Sequence, residues 1–171
     1  MNYKILRQHF AVCVFFACVA SSWADPAPPG VLNRDVSDAT LDDTICRPGY
    51  TRTVRPGTSY TNGIKKRLLR DSGLDFEADK SLYELDHVIP LALGGHPRSI
   101  NNLVLQKWEG STGAKRKDRL EVKLQCLVCA RAIPLSQAQD AIWTDWITAY
   151  GRYGSMVCKR KRGLKSYDYG D

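Results

Sequence analysis

The chain predicts an α+β fold in which two short strands and a following helix form a small core, with additional helices packed around it. Three stretches carry that expectation. Leu82–Ile89 holds the β-favouring Tyr83, Val88 and Ile89 and stops at Pro90, which has no backbone N–H to give a ladder. Leu103–Leu105 is a second apolar run, separated from the first by the turn-forming Gly94, Gly95, His96 and Pro97. Between about Gly113 and Arg131, Leu120, Leu124 and Leu127 recur at helical spacing and should face a core.

Taken in order, residues 1–24 read as an export signal. Lys4 and Arg7 are its basic region, Phe10–Ala20 its apolar run, and Ser22-Trp23-Ala24 its cleavage site. That run is about half the length a membrane-spanning helix needs. Residues 25–43, rich in Pro, Gly, Asp and Asn, read as extended or disordered, so order is expected from about Ile45 and a domain over 44–152. Thr51–Val54 is β-branched and predicts a short strand. Ser59 or Thr61 caps a helix to about Arg70, with Ile64, Leu68 and Leu69 apolar and Asp71, Ser72 and Gly73 stopping it. After the two strands and the helix from Gly113, Pro134 breaks the chain. Ser136 and Gln139 have the spacing of a capping box for a helix that buries Ala138, Ile142, Trp146 and Ala149 and ends before Gly151. Residues 153–171 form a basic tail carrying Lys159–Arg162. No internal repeat is present.

An apolar fraction of 43% is ordinary for a globular protein and excludes wholesale disorder. The net charge of +7 falls by two when Lys4 and Arg7 leave with the signal, to +5, which favours a polyanionic partner such as nucleic acid. Of six cysteines, Cys13 and Cys18 lie in the signal. Cys46, Cys126, Cys129 and Cys158 remain, an even number in a chain bound for an oxidising compartment, and read as two disulfides with three possible connectivities. A zinc half-site or a redox pair at Cys126 and Cys129 are the competing readings.

The chemistry concentrates between Glu84 and Glu121. Outside the signal the histidines are His87 and His96. A neutral imidazole can take a proton from water near neutral pH, a hard cation on oxygen ligands can neutralise a phosphate, and basic side chains can hold flanking phosphates. His96, before Pro97, reads as a turn residue, and Trp143 and Trp146 as core. Phosphodiester hydrolysis needs a base, a metal carboxylate and cations, and this stretch holds all three.

At these residues the chain resembles the HNH, or ββα-metal (His-Me finger), nucleases, and more narrowly their secreted bacterial branch. The likeness rests on Leu85-Asp86-His87-Val88-Ile89-Pro90-Leu91, Gly94-Gly95, Asn102-Leu103, Lys117-Asp118-Arg119-Leu120-Glu121 and Val128-Cys129, and spans roughly residues 46–150. It implies His87 as general base, Asp86 as first metal ligand and Asn102 as the motif's middle asparagine, holding the loop and orienting the histidine backbone. The family's helix position is usually His or Asn. Here the nearest oxygen donor is Asp118, with Glu121 one turn on. Lys117 and Arg119, with Lys115 and Arg55, are then the phosphate-contacting residues. The implied protein is an exported, monomeric endonuclease using one Mg2+ (or Mn2+), with little sequence specificity, DNA favoured over RNA, and no membrane partner after signal cleavage. Its products would be a 5′-phosphate and a 3′-hydroxyl. An inactive nucleic-acid-binding relative and a thiol redox protein are the alternatives. One geometric demand follows. Adjacent residues on a regular strand face opposite ways, so a bend between Asp86 and Pro90 is expected to bring Asp86 and His87 to one side.

Overall fold

β1 (Tyr83–His87) and β2 (Leu103–Lys107) pair antiparallel, Tyr83 opposite Lys107 and His87 opposite Leu103. The coordinates come from a computed structural model that describes residue 27 and residues 29–158. The expected export signal and the tail at Lys159–Arg162 lie outside the described residues. Around the two strands lie α1 (Tyr50–Val54), α2 (Thr58–Asp71), α3 (Phe76–Asp79), α4 (Ala114–Cys129) and α5 (Leu135–Tyr153), which makes the fold α+β. No helix among the described residues is long and apolar enough to cross a membrane.

The core lies where α4 and α5 pack on each other and on the chain between the strands. Leu120, Leu124, Leu127 and Val128 of α4 meet Ala138, Ile142 and Ala149 of α5, together with Ile89 and Leu93. The expected leucine stripe of α4 is therefore the buried one. Trp146 differs: it is half-buried and packs at the core's edge.

The stretch expected to be extended or disordered over 25–43 is folded across its described residues 29–43. Val31, Val36 and Leu41 belong to the core, Leu32 bridges Gly95, and His96 N donates to Val31 O at 2.7 Å. Its many turn residues fold it into successive tight turns, and three spaced apolar side chains are enough to seat it. Thr51–Val54 is helical, in α1, and not a strand. Gly49, at φ 80°, turns the chain in, and buried Tyr50 anchors the helix, so tertiary packing overrides weak β-propensity. α2 begins at Thr58 behind Gly57 with no side-chain cap, so neither Ser59 nor Thr61 has the expected role. α5 begins at Leu135, and Gln139 Nε2 donates to Leu93 O at 2.8 Å, so the capping box does not form. The helix also runs past Gly151 to Tyr153 and breaks in its middle at Asp145, where φ is −164° and ψ is 92°. The short α3 was missed, although Asp75 caps it by accepting from Ala78 N at 2.8 Å.

The disulfides are Cys46–Cys129 and Cys126–Cys158. Both cysteines of the Cys126/Cys129 pair are bonded to distant partners. That removes the zinc half-site and the redox couple together.

Candidate active site

Asp86 and His87 close β1, and the ladder holds its register through both. The chain leaves the ladder only beyond them: Val88 N still donates to Asn102 O at 2.9 Å, then Ile89 N turns to the Asn102 side chain. The expected bend therefore comes too late to swing both side chains to one face. Asp86 turns to α4, while His87 reaches the loop at Pro97.

Asn102 holds that loop. Fully buried, it accepts from Ile89 N at 2.8 Å and donates to Ile89 O at 2.9 Å and His96 O at 3.1 Å. It mimics a backbone ladder pair where Pro90 has ended the real one. The loop is tight enough that a Cβ on Gly95 would lie 1.7 Å from Ile89 O, which is why glycine is required there. Asn102 touches only backbone and is a positioning residue, not a reacting one. His96 is a turn residue, its Nδ1 accepting from Arg98 N and Ser99 N.

His87 is 7% exposed. Its Nε2 lies 3.1 Å from Pro97 O, and a carbonyl only accepts, so Nε2 carries the proton and Nδ1 the lone pair. Burial lowers its pKa; Arg55 and Lys117 push the same way, against the Pro97 hydrogen bond and Asp86. The ring is neutral at neutral pH, the form a general base needs.

Lys117 departs most from expectation. It is 2% exposed, too buried to contact a phosphate. Its Nζ donates to Asp86 Oδ2 at 2.8 Å, His87 O at 2.8 Å and Glu121 Oε1 at 2.7 Å. The other Asp86 oxygen accepts from His87 N at 2.6 Å. Burial alone would lower the Lys117 pKa, but Glu121 and Asp86 outweigh it and the ammonium is held protonated. Glu121 is driven up by the same burial.

Two further carboxyls stand near this cluster. Asp118 is pushed up to about 6, by burial and then by Asp86. Glu84 was not singled out from the sequence, although its position two residues before Asp86 puts both on one strand face. Burial, then Asp86, Asp118 and Glu121, raise it to about 8, and its buried Oε2 has no hydrogen-bond partner among the described residues. A carboxyl with a raised folded pKa keeps a proton that the unfolded chain releases. Its stabilising effect is whole below the unfolded value near 4.5 and is lost as pH climbs through about 8. Glu84→Gln should therefore raise the melting temperature by a few degrees at pH 8 and by less at pH 5; an equal shift at both would show that its carboxyl is not the source.

Of the expected cationic residues, Arg55, Lys115 and Arg119 are exposed. Arg55 acts electrostatically on both His87 and Asp118. Lys115 pairs with Glu109, and Arg119 Nε donates to the Tyr150 hydroxyl at 3.4 Å.

Among the described residues no three His, Cys, Asp or Glu side chains stand together as a ready metal cage. The donor chemistry still suits a hard cation, because Mg2+ commonly takes one or two carboxylates and fills the rest with water and substrate phosphate. Asp118 is raised chiefly by burial and then by the Asp86 carboxylate, against Lys117, Arg55 and Arg119. Asp86 and Asp118 are the carboxyls that would hold such an ion, with both Asp86 oxygens already accepting from Lys117 and the His87 amide. Comparison of the chain with protein-family models, curated proteins and solved structures gives no significant match.

Proposed function

We propose that the chain is an exported, metal-dependent endonuclease of the HNH type, hydrolysing phosphodiesters of DNA in preference to RNA with little sequence specificity. One observation carries the reading: a buried, neutral His87, its tautomer set by Pro97 O and its strand end clamped by Asn102, stands beside an acidic cluster shared by β1 and α4. Two disulfides fit folding in an oxidising compartment, which supports export to the periplasm or the medium.

In this reading Nδ1 of His87 takes the proton of the attacking water, and Nε2 stays bound to Pro97 O. Asp86 and Asp118 would hold a divalent ion, Mg2+ in the first instance, which when bound would supply charge neutralisation at the phosphate. Arg55 stabilises phosphate charge at the strand end, and Arg119 and Lys115 add affinity that falls with salt. Lys117 takes no phosphate. It holds the Asp86 and Glu121 carboxylates and the His87 carbonyl in one place, so base and ligand keep a fixed separation although they leave the strand on opposite faces. The products are a 5′-phosphate and a 3′-hydroxyl.

Plasmid cleavage with Mg2+ or Mn2+ tests this. His87→Ala should lower the rate by about 10²–10⁴-fold, the usual contribution of a general base, with unchanged circular dichroism. Cleavage at the wild-type rate by the folded variant sinks the assignment. A second reading, an inactive nucleic-acid binder, is favoured by one fact: both Asp86 oxygens are already engaged, one by Lys117 and one by the His87 amide. Binding without metal-dependent turnover would identify it.

A further inference from the structure

Next to Lys117 a groove of about 400 Å³ opens between the Asp86 face of the sheet and α5. Val88 and Val104 form its sheet wall, Trp143 and Trp146 its helix wall, and Gln106 and Lys117 also line it. The sequence pattern places both tryptophans in the core, but both are only half-buried. Val104 is 39% exposed, an unusual position for a valine on a strand face turned toward helices.

Beyond the groove's own lining, a basic cluster lies one turn further along α5. Tyr150, one helical turn beyond Trp146, has the Arg116 guanidinium 4.5 Å from its ring centre, and its hydroxyl accepts from Arg119. Asp145 is the one acid in the groove's lining; exposed and ionised, it is turned back on its own helix, accepting from Ile147 N, Thr148 N and the Thr148 hydroxyl. Aromatic walls with two arginines one helical turn away, set against the single exposed acid Asp145, fit one kind of occupant: an unpaired nucleobase with its flanking phosphates. A base locked in a duplex keeps its faces stacked on its neighbours and cannot enter.

We propose that this groove binds a nucleobase of a single-stranded nucleic acid, stacked against Trp143 and Trp146, with adjoining phosphates on Arg116 and Arg119. The inference rests on the nuclease reading for its location beside Asp86 and extends it by naming single strands as the substrate class. A double-stranded substrate would need a frayed or opened base to use the same path.

The test separates binding from cleavage. Mature protein with both disulfides and a Trp108→Phe background is titrated in EDTA with fluorescein-labelled oligo(dT) and with a duplex of equal length. The expected result is quenching of the remaining tryptophan fluorescence and preference for the single strand by about 10-fold or more. Trp146→Leu should weaken that binding by about 10–100-fold, the range for one stacked base. Arg116→Gln with Arg119→Gln should weaken it and flatten its salt dependence. Val104→Glu, at an exposed wall position, puts a carboxylate into the groove without altering the core and should cost at least about 10-fold even if Trp146→Leu fails to fold. Equal affinity for duplex and single strand, or unchanged affinity in Val104→Glu, overturns the proposal. Should the protein bind single strands through this groove yet cleave nothing, the groove stands and the nuclease reading falls.

Discussion

Lys117→Met should lower the free energy of unfolding by about 3–5 kcal/mol, the usual effect of removing one partner of a buried ion pair. The ammonium has three acceptors within 2.8 Å and is the shared counter-ion of Asp86 and Glu121, both under 10% exposed. Methionine fills similar volume, so little of the loss comes from packing. What remains is two carboxylates in a desolvated site, with Glu84 and Asp118 already nearby. The chain can escape only by protonating them. In the variant, Glu121, already raised by burial, loses the Lys117 charge that holds it down and should lie further above its unfolded value, so stability is retained at low pH and lost as pH rises. The deficit should be largest near pH 8 and smaller near pH 5. Urea denaturation of wild type and variant at the two pH values measures it. Lys117→Met with Glu121→Gln should recover part of the loss, because one of the stranded charges is gone. A surface lysine contacting phosphate would change stability by no more than about 0.5 kcal/mol. A deficit of that size would return Lys117 to the phosphate-binding role that its neighbours in the sequence suggest.

The burial of Lys117 could have been read from the sequence. Residues 117, 120, 121, 124 and 128 recur at three- and four-residue steps, and Leu120, Leu124 and Val128 are wholly buried. Lys117 and Glu121 lie on that stripe, one turn apart, and a lysine on a buried stripe needs acidic partners. By charge alone it groups with Lys115, Arg116 and Arg119, which are more exposed. The strands, the glycine turn and the leucine face of α4 were legible because each depends on local rules: period, a missing amide, a missing Cβ. Asn102 was legible as a loop-holder for the same reason. The folded arm over 29–43 was not, since Val31, Val36 and Leu41 have no periodicity and gain their place only by meeting α1, α4 and α5. The direction of the Asp86 and His87 side chains was not legible either. Where a strand bends depends on Pro90 and Asn102 acting together across the loop, and the bend came two residues later than the chemistry alone would ask.

Removing the Cys46–Cys129 bond should destabilise the protein more than removing Cys126–Cys158. The partners are 83 residues apart in the first and 32 in the second. Chain entropy alone then predicts losses of about 4.5 and about 3.7 kcal/mol. Packing widens the difference. Cys46 follows Ile45, which is fully buried and whose carbonyl accepts from Gln125 Nε2 at 2.7 Å, and it precedes the buried Tyr50 of α1. Freed from α4, this segment loosens the turn carrying Arg55, which acts on both His87 and Asp118. Cys158, by contrast, ties the segment just beyond α5 to α4. Thermal melts of Cys46→Ser with Cys129→Ser, and of Cys126→Ser with Cys158→Ser, should rank in that order, with the first also losing whatever cleavage the oxidised protein has. Equal melting temperatures would mean that the arm is held by its apolar contacts without the bond. On the proposed nuclease reading, the ranking also bears on where the protein can act. A chain that needs its long-range disulfide to seat Arg55 beside the site stays inactive in a reducing cytosol and becomes active after export. Equal cleavage by fully reduced and fully oxidised protein would exclude that safeguard.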